Sequence, residues 1–220
     1  MKIPPWSYSA LECFDTCPKR YYHRYILKEK EPENESNKHG TEVHKALEER
    51  VKDKKPLPKP YYMYEKFAKS VEKAGQGGVV MVEYPLAITK DFRPCDFFGA
   101  DVWGRGKADV VVHKGSKMWI GDWKTGKVRE KLFQIQVFAG FLFKLFPEVE
   151  EIHGNNIWLQ AGKIGDAYSF TREKGEPIIW QDILYKISRI ELAARKDSFD
   201  PKPSGICGFC YVKTCPHNRG

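Results

Sequence analysis

The chain has no run of about 18 apolar residues, the length a helix needs to cross a bilayer, and its start, Met1-Lys2-Ile3-Pro4-Pro5-Trp6, has no apolar core before a small-residue cleavage site. Both absences predict a soluble, intracellular protein with no membrane partner, cytoplasmic or, for a viral chain, in the host cytoplasm. There is no internal repeat and no low-complexity tract, which excludes repeat arrays and linker-like chains. A basic tail is also missing, because the net charge of +8 is spread as +3 over residues 1–110 and +5 over residues 111–220. That excess favours a polyanionic partner without identifying one. With 41% hydrophobic and 14% aromatic residues, the 220-residue chain has enough apolar surface to fold.

Gly121-Asp122-Trp123-Lys124-Thr125-Gly126-Lys127 begins like a phosphate loop, but Val128 stands where a Ser or Thr should hold Mg²⁺, so nucleotide binding is not expected. Six cysteines occur at 13, 17, 95, 207, 210 and 215. Without a sign of secretion, disulfides are not the expected use. Five of the six fall in the first 17 or last 14 residues, a grouping that suits one metal or cluster site joining the two ends through soft thiolates.

Period and punctuation divide the chain. Residues 8–30 read as a helix interrupted near Pro18, residues 31–37 as a loop, and residues 40–52 as an amphipathic helix with Val43, Leu47 and Val51 four residues apart. Three prolines break it between 54 and 60, and residues 61–74 form the next helix. Residues 79–89, 97–103, 107–113 and 117–123 are β-branched or aromatic and predict a strand meander. An apolar helix over 132–146 ends at Pro147, strands 157–161 and 167–171 flank a glycine turn, and residues 177–195 form a last amphipathic helix. This order predicts an α/β (α+β) fold with a central mixed β-sheet flanked by helices. Residues 1–220 are read as a single domain whose terminal segments, 1–37 and 197–220, carry the cysteine site.

Asp109 and Asp122 lie on adjacent predicted strands, with Lys124 on the same face as Asp122 and Trp123 on the other. A cross-strand charge pair at a solvated hairpin end would explain the trio. Yet Asp109 precedes Val110-Val111-Val112 and Asp122 follows Met118-Trp119-Ile120, so both acids border buried runs. Carboxylates there need a partner, and a divalent cation is one.

These residues, in order with His44 in Gly40-Thr41-Glu42-Val43-His44, Gly106-Lys107-Ala108-Asp109, Asp122-Trp123-Lys124-Thr125-Gly126 and Gln134, resemble the motifs of RecB-type nucleases of the PD-(D/E)XK superfamily, a group that includes the CRISPR adaptation exonucleases and the AddB nuclease domain. The resemblance implies a PD-(D/E)XK-like core in which His44, Asp109, Asp122 and the Trp123 backbone carbonyl bind Mg²⁺ or Mn²⁺. Lys124 would polarise the attacking water, and Gln134 is the family's helix glutamine. Phe138 departs from the tyrosine often found four residues after that glutamine. Glu83 stands on a strand where related nucleases often hold a further acid, although a solvated strand residue would look the same. The chemistry calls for a cation, since phosphodiester hydrolysis needs roughly 20 kcal/mol of barrier reduction and one general acid or base supplies about 3 to 6 kcal/mol.

Cys17-Pro18-Lys19-Arg20-Tyr21-Tyr22 and Cys207-x2-Cys210-x4-Cys215-Pro216 resemble the cysteine pattern of the cluster-bearing members, which implies a 4Fe-4S cluster on Cys17, Cys207, Cys210 and Cys215. Four thiolates suit Zn²⁺ equally well on chemistry alone. Arg20, Tyr21, Tyr22, Arg24 and Tyr25 interleave rings and guanidinium groups and are candidates either to contact DNA or to buttress the cluster. The expectation is a metal-dependent deoxyribonuclease, an exonuclease on single-stranded DNA or DNA with free ends, with a helicase or recombination partner on another polypeptide. A non-catalytic DNA-binding accessory module and a sequence-specific endonuclease are the alternatives.

Overall fold

A computed structural model describes residues 1–219. Helices α1 (Tyr8–Thr16) and α2 (Pro18–Tyr21) and a π-helical turn (Tyr22–Ile26) are followed by α3 (Glu35–Lys52), a 3₁₀ turn (Lys59–Tyr64) and α4 (Glu65–Gly75). Then come β1 (Val79–Ile88), β2 (Gly104–Lys114), β3 (Lys117–Lys124), α5 (Leu132–Leu145), β4 (Glu151–Trp158), β5 (Lys163–Ile164), β6 (Tyr168–Thr171) and α6 (Gly175–Lys196). The sheet runs β1-β2-β3-β4-β5, with β6 also pairing β4. β1 to β3 form an antiparallel meander, and α5 crosses over to lay β4 parallel to β3. The mixed sheet flanked by helices agrees with the expected fold class.

Each face of the sheet carries its own apolar layer. On one, α1, α5 and α6 bury Leu11, Phe14, Phe138, Phe141, Ile183 and Ile187 with Leu86, Ile88 and Ala108 of the sheet. On the other, Val43, Leu47 and Val51 of α3 and Phe67 and Val71 of α4 cover Val110, Val112, Trp123 and Ile157. The four-residue apolar stripe therefore fixes which way α3 faces. Arg50 strengthens that docking by donating to Glu65 (Nη2 to Oε1, 2.6 Å) and Glu72 (Nη1 to Oε1, 2.8 Å) of α4. With Lys54 it pulls the Glu72 carboxyl down to about 2. On the opposite layer, Arg172 donates to the carbonyls of Phe143, Phe146 and Val149, which closes the C-terminal end of α5 and fixes the start of β4.

Some local expectations are corrected. Residues 97–103 form turns, not a strand, because Asp96 accepts the amides of Phe98 and Gly99 and bends the chain after Pro94. The strand expected at 157–161 begins earlier, at Glu151, since pairing with β3 overrides the weak strand preference of His153-Gly154-Asn155-Asn156. Helix α3 also starts five residues ahead of the expected Gly40, with the Asn34 side chain capping the Asn37 amide. Among the described residues no helix is long and apolar enough to cross a membrane.

Candidate metal centre and cleft

The centre is built where β1, β2 and β3 stop being regular. Val82 pairs with Val110 and Tyr84 with Ala108, so Glu83 and Asp109 oppose each other at the rung between. In β1, Val80 and Val82 face the α3–α4 layer whereas Tyr84, Leu86 and Ile88 face the α5 layer. Likewise Ala108 faces α5, but Val110 and Val112 face α3. Side-chain alternation therefore slips by one residue in both strands at this rung. Glu83 absorbs the slip with φ +50°, a backbone conformation that a β-strand residue seldom adopts.

The slip turns both acids toward His44. One ligand atom from each of His44, Glu83 and Asp109 lies within 4.8 Å of the others, and His44 Nδ1 is 3.5 Å from Asp109 Oδ1. His44 sits on α3 beside the buried stripe, with its ring edge-on to Trp123 at 6.1 Å between centroids. Gly40, one turn earlier, lets α3 come this close, because a Cβ there would sit 3.2 Å from Thr125 Oγ1. Burial alone would lower the His44 pKa, but Asp109, Asp122 and Glu83 outweigh it and raise it. Glu83 is raised by burial and by Asp109, against the opposing pull of Lys107 at 3.2 Å.

The ladder between β2 and β3 ends at Val110–Gly121, and beyond it the strands fork. Asp109 Oδ2 accepts the Trp123 amide at 2.8 Å, so a carboxylate takes the place of the next backbone acceptor. Trp123 packs toward α3, whereas Asp122 and Lys124 turn toward α5. Gln134 on α5 donates to Asp122 Oδ1 at 2.7 Å and accepts from Lys124 Nζ at 2.6 Å. Lys124 Nζ is also 2.6 Å from Asp122 Oδ2, a close ion pair. Asp122 is 1% exposed, and burial pushes its carboxyl up to about 7 despite Lys124.

The donor set suits a hard divalent cation: two carboxylates and an imidazole converge, and the buried Asp122 oxygen lies beside them. The compact trio is His44, Glu83 and Asp109, so Glu83 takes the place expected of Asp122 among the closest three. They line a cleft of about 1,400 Å³ whose walls include Arg20, Arg24, Tyr25 and Lys28. Tyr22 lies outside that lining and tilts against Phe199 at 5.1 Å. Tyr21 is corrected: it is 1% exposed, stacked between Tyr25 and Phe199, and has no ring face left for a base. Arg20 and Arg24 pair with Glu31.

Cys17, Cys207, Cys210 and Cys215 line one small cavity at the meeting of the terminal segments. The Cys17 sulfur accepts the Lys202 amide at 3.4 Å and the Cys207 sulfur accepts the Ser204 amide at 3.3 Å. Cys13 is buried, away from that cavity, with its thiol pushed up to about 11 by burial.

Comparison with known proteins gives the chain its family. No curated protein sequence matches it. A crystal structure from Eubacterium rectale described as "Putative exonuclease" superposes with a TM-score of 0.56 at 13% identity, covering 96% of this chain and 88% of that one, which is a likeness of fold. A crystal structure named SSO0001 aligns over 100% of this chain and 89% of its own at 16% identity, with a TM-score of only 0.44. The PD-(D/E)XK nuclease superfamily model matches residues 5–216, nearly the whole chain. The chain belongs to the PD-(D/E)XK nuclease superfamily, whose members use divalent metals to cut nucleic acid.

Proposed function

We propose that this chain is a Mg²⁺- or Mn²⁺-dependent deoxyribonuclease that digests single-stranded or end-opened DNA from free ends. The observation that carries the reading is the His44, Glu83 and Asp109 group at the wall of an open cleft, next to the Lys124–Asp122–Gln134 set. A divalent cation held by the trio, with Asp122 and the Trp123 carbonyl as further ligands, would polarise the scissile phosphate and acidify a water. Lys124 is held by Gln134 so that its ammonium can orient the attacking water and offset charge developing on the phosphate. Asp122, kept close to Lys124, limits where that ammonium can point. Lys28, together with Arg20 and Arg24 once they exchange Glu31 for phosphate, would contact the strand's backbone along the cleft. The name given to the Eubacterium rectale protein supports the exonuclease reading. Duplex ends would be opened by a separate helicase or recombination partner.

The pattern of the four cysteines supports a 4Fe-4S cluster, with Zn²⁺ as the alternative. All four cysteines line one cavity. The cluster would tie residue 17 to residue 207, and the cross-link entropy model puts such a closure at about 5 kcal/mol. This gives residues 1–37 and 197–220 their role as parts of a single domain. Anaerobically purified protein should be brown, and Cys210→Ala unstable or colourless; a full-strength brown Cys210→Ala preparation contradicts the assignment.

Digestion of linear and closed circular single strands tests end dependence. Degradation of the linear strand alone is expected. Cutting of closed circles at one site would select the endonuclease reading, and binding without cleavage in Mn²⁺ would select the accessory-module reading.

A further inference from the structure

The 15 residues between β1 and β2, 89 to 103, are long for a hairpin connection and are held firmly. The Trp103 amide donates to Ile88 O at 2.9 Å, the Cys95 amide to Ala87 O at 3.3 Å, and the Gly99 amide to Asp96 O at 2.9 Å. This built loop nonetheless leaves Phe98 83% exposed. Phe97 meets Phe98 edge-on at 5.0 Å between centroids, and the Arg105 guanidinium lies 5.3 and 5.8 Å from the two rings. Arg105 is fixed there by donating to Phe97 O at 3.2 Å.

The position of this group is set by β2. Gly104, Gly106 and Ala108 face the α5 layer, so Arg105, Lys107 and Asp109 form a row on the other face. At the strand rise of 3.3 Å per residue, Arg105 lies about 13 Å from Asp109. That span matches about four stacked nucleotides of one strand. Lys107, between them, pairs with Glu83. At the sheet edge a cavity of about 460 Å³ adjoins Phe98, Trp103 and Arg105 and is backed by Trp6, Ile187 and Ile190 of the α5–α6 layer, with Lys2 and Lys90 at its rim against the single acid Glu191. Exposed rings, a fixed guanidinium and a cationic rim are the components of a sequence-tolerant single-strand site.

We propose that Phe98, backed by Phe97 and Arg105, is a base-stacking subsite for the substrate strand a few nucleotides from the metal centre. It rests on the nuclease reading and adds a second point of grip that makes the protein prefer strands long enough to reach it. Phosphate contact falls to Arg105 and Lys107, because Asp91, Asp96 and Asp101 make the loop itself slightly acidic.

Phe98→Ala and Phe98→Trp test it, since so exposed a ring carries little of the fold. With EDTA present, anisotropy with labelled 12-nucleotide and 3-nucleotide strands reads binding alone. Phe98→Ala should weaken the 12-mer by about 5- to 150-fold, as loss of a stacking ring does, leave the 3-mer unchanged, and be rescued by Phe98→Trp. Hydrolysis of bis(p-nitrophenyl) phosphate in Mn²⁺ should be unaltered. Equal 12-mer affinity in wild type and Phe98→Ala overturns the subsite, and so does parallel loss for both strands. A wild-type protein that binds with this Phe98 dependence yet never cleaves would refute the nuclease reading while upholding the subsite.

Discussion

Glu83 and Asp109 face each other at the rung of the β1–β2 pair where both strands exchange their inward and outward sides. That shared slip, with Glu83 at φ +50°, brings two carboxylates to one imidazole. Strain in a strand and crowding of acids both cost stability, and they meet where the chemistry is proposed.

Replacing Glu83 should therefore separate stability from activity. Glu83→Gly accepts the positive φ without steric penalty and removes a half-buried carboxylate crowded against Asp109, so thermal unfolding of metal-free protein should show a gain of about 1 kcal/mol. Mn²⁺ affinity, by calorimetry, should fall at least tenfold, and cleavage with it. Unchanged Mn²⁺ affinity would remove Glu83 from the centre.

The pH dependence follows from Asp122. Its folded pKa lies above the unfolded value, so the folded state binds more protons between about 4 and 7. The contribution of this carboxyl to the stability of metal-free protein is therefore fully present below the unfolded pKa and is lost as pH rises toward 7. Asp122→Asn should abolish that part of the decline in chemical-denaturation curves taken from pH 4 to 8. Mn²⁺ binding should tighten as pH rises through about 7 and competing protons leave Asp122. Superimposable stability profiles for wild type and Asp122→Asn would contradict the assignment.

Gln134 holds Lys124 and Asp122 at once. Gln134→Leu should lower kcat about 100-fold with little change in KM, because it disturbs the lysine's aim and leaves the strand's grip intact. Lys124→Ala should abolish Mn²⁺-supported cleavage and leave DNA affinity nearly intact. A Gln134→Leu variant that changes KM alone would place the glutamine in substrate binding instead.

Away from the centre, Arg172→Ala removes donors from three carbonyls and one of the two cationic partners of buried Glu176, the other being Lys144. Each charge-assisted hydrogen bond contributes about 1.5 to 3 kcal/mol, and solvent reaches part of this arginine. A loss near 3 kcal/mol is expected in denaturant unfolding, with kcat of the folded fraction unaltered. A loss below 1 kcal/mol would show that the α5 terminus is satisfied by water.

Much of this was legible in the sequence. The Val43, Leu47 and Val51 period placed His44 on the edge of a buried face, and alternation put Trp123 opposite Asp122 and Lys124, as the structure has it. Glu83 was the weak point, because nothing in Val82-Glu83-Tyr84 announces a positive φ or a slip of alternation. The fork after Val110–Gly121 likewise depends on Asp109 replacing a backbone acceptor, which composition does not reveal. The two roles open to Tyr21 could not be separated in the sequence, because its burial comes from Phe199, 178 positions away. The aromatic run at 97–103 had strand composition but turn hydrogen bonds.

The central claim is that the centre around His44, Glu83 and Asp109 holds the cation that hydrolyses DNA. End-labelled single-stranded DNA incubated with Mn²⁺ should shorten progressively with wild-type protein, stay intact in EDTA, and stay intact with folded Asp109→Ala. Digestion by Asp109→Ala at the wild-type rate would contradict it.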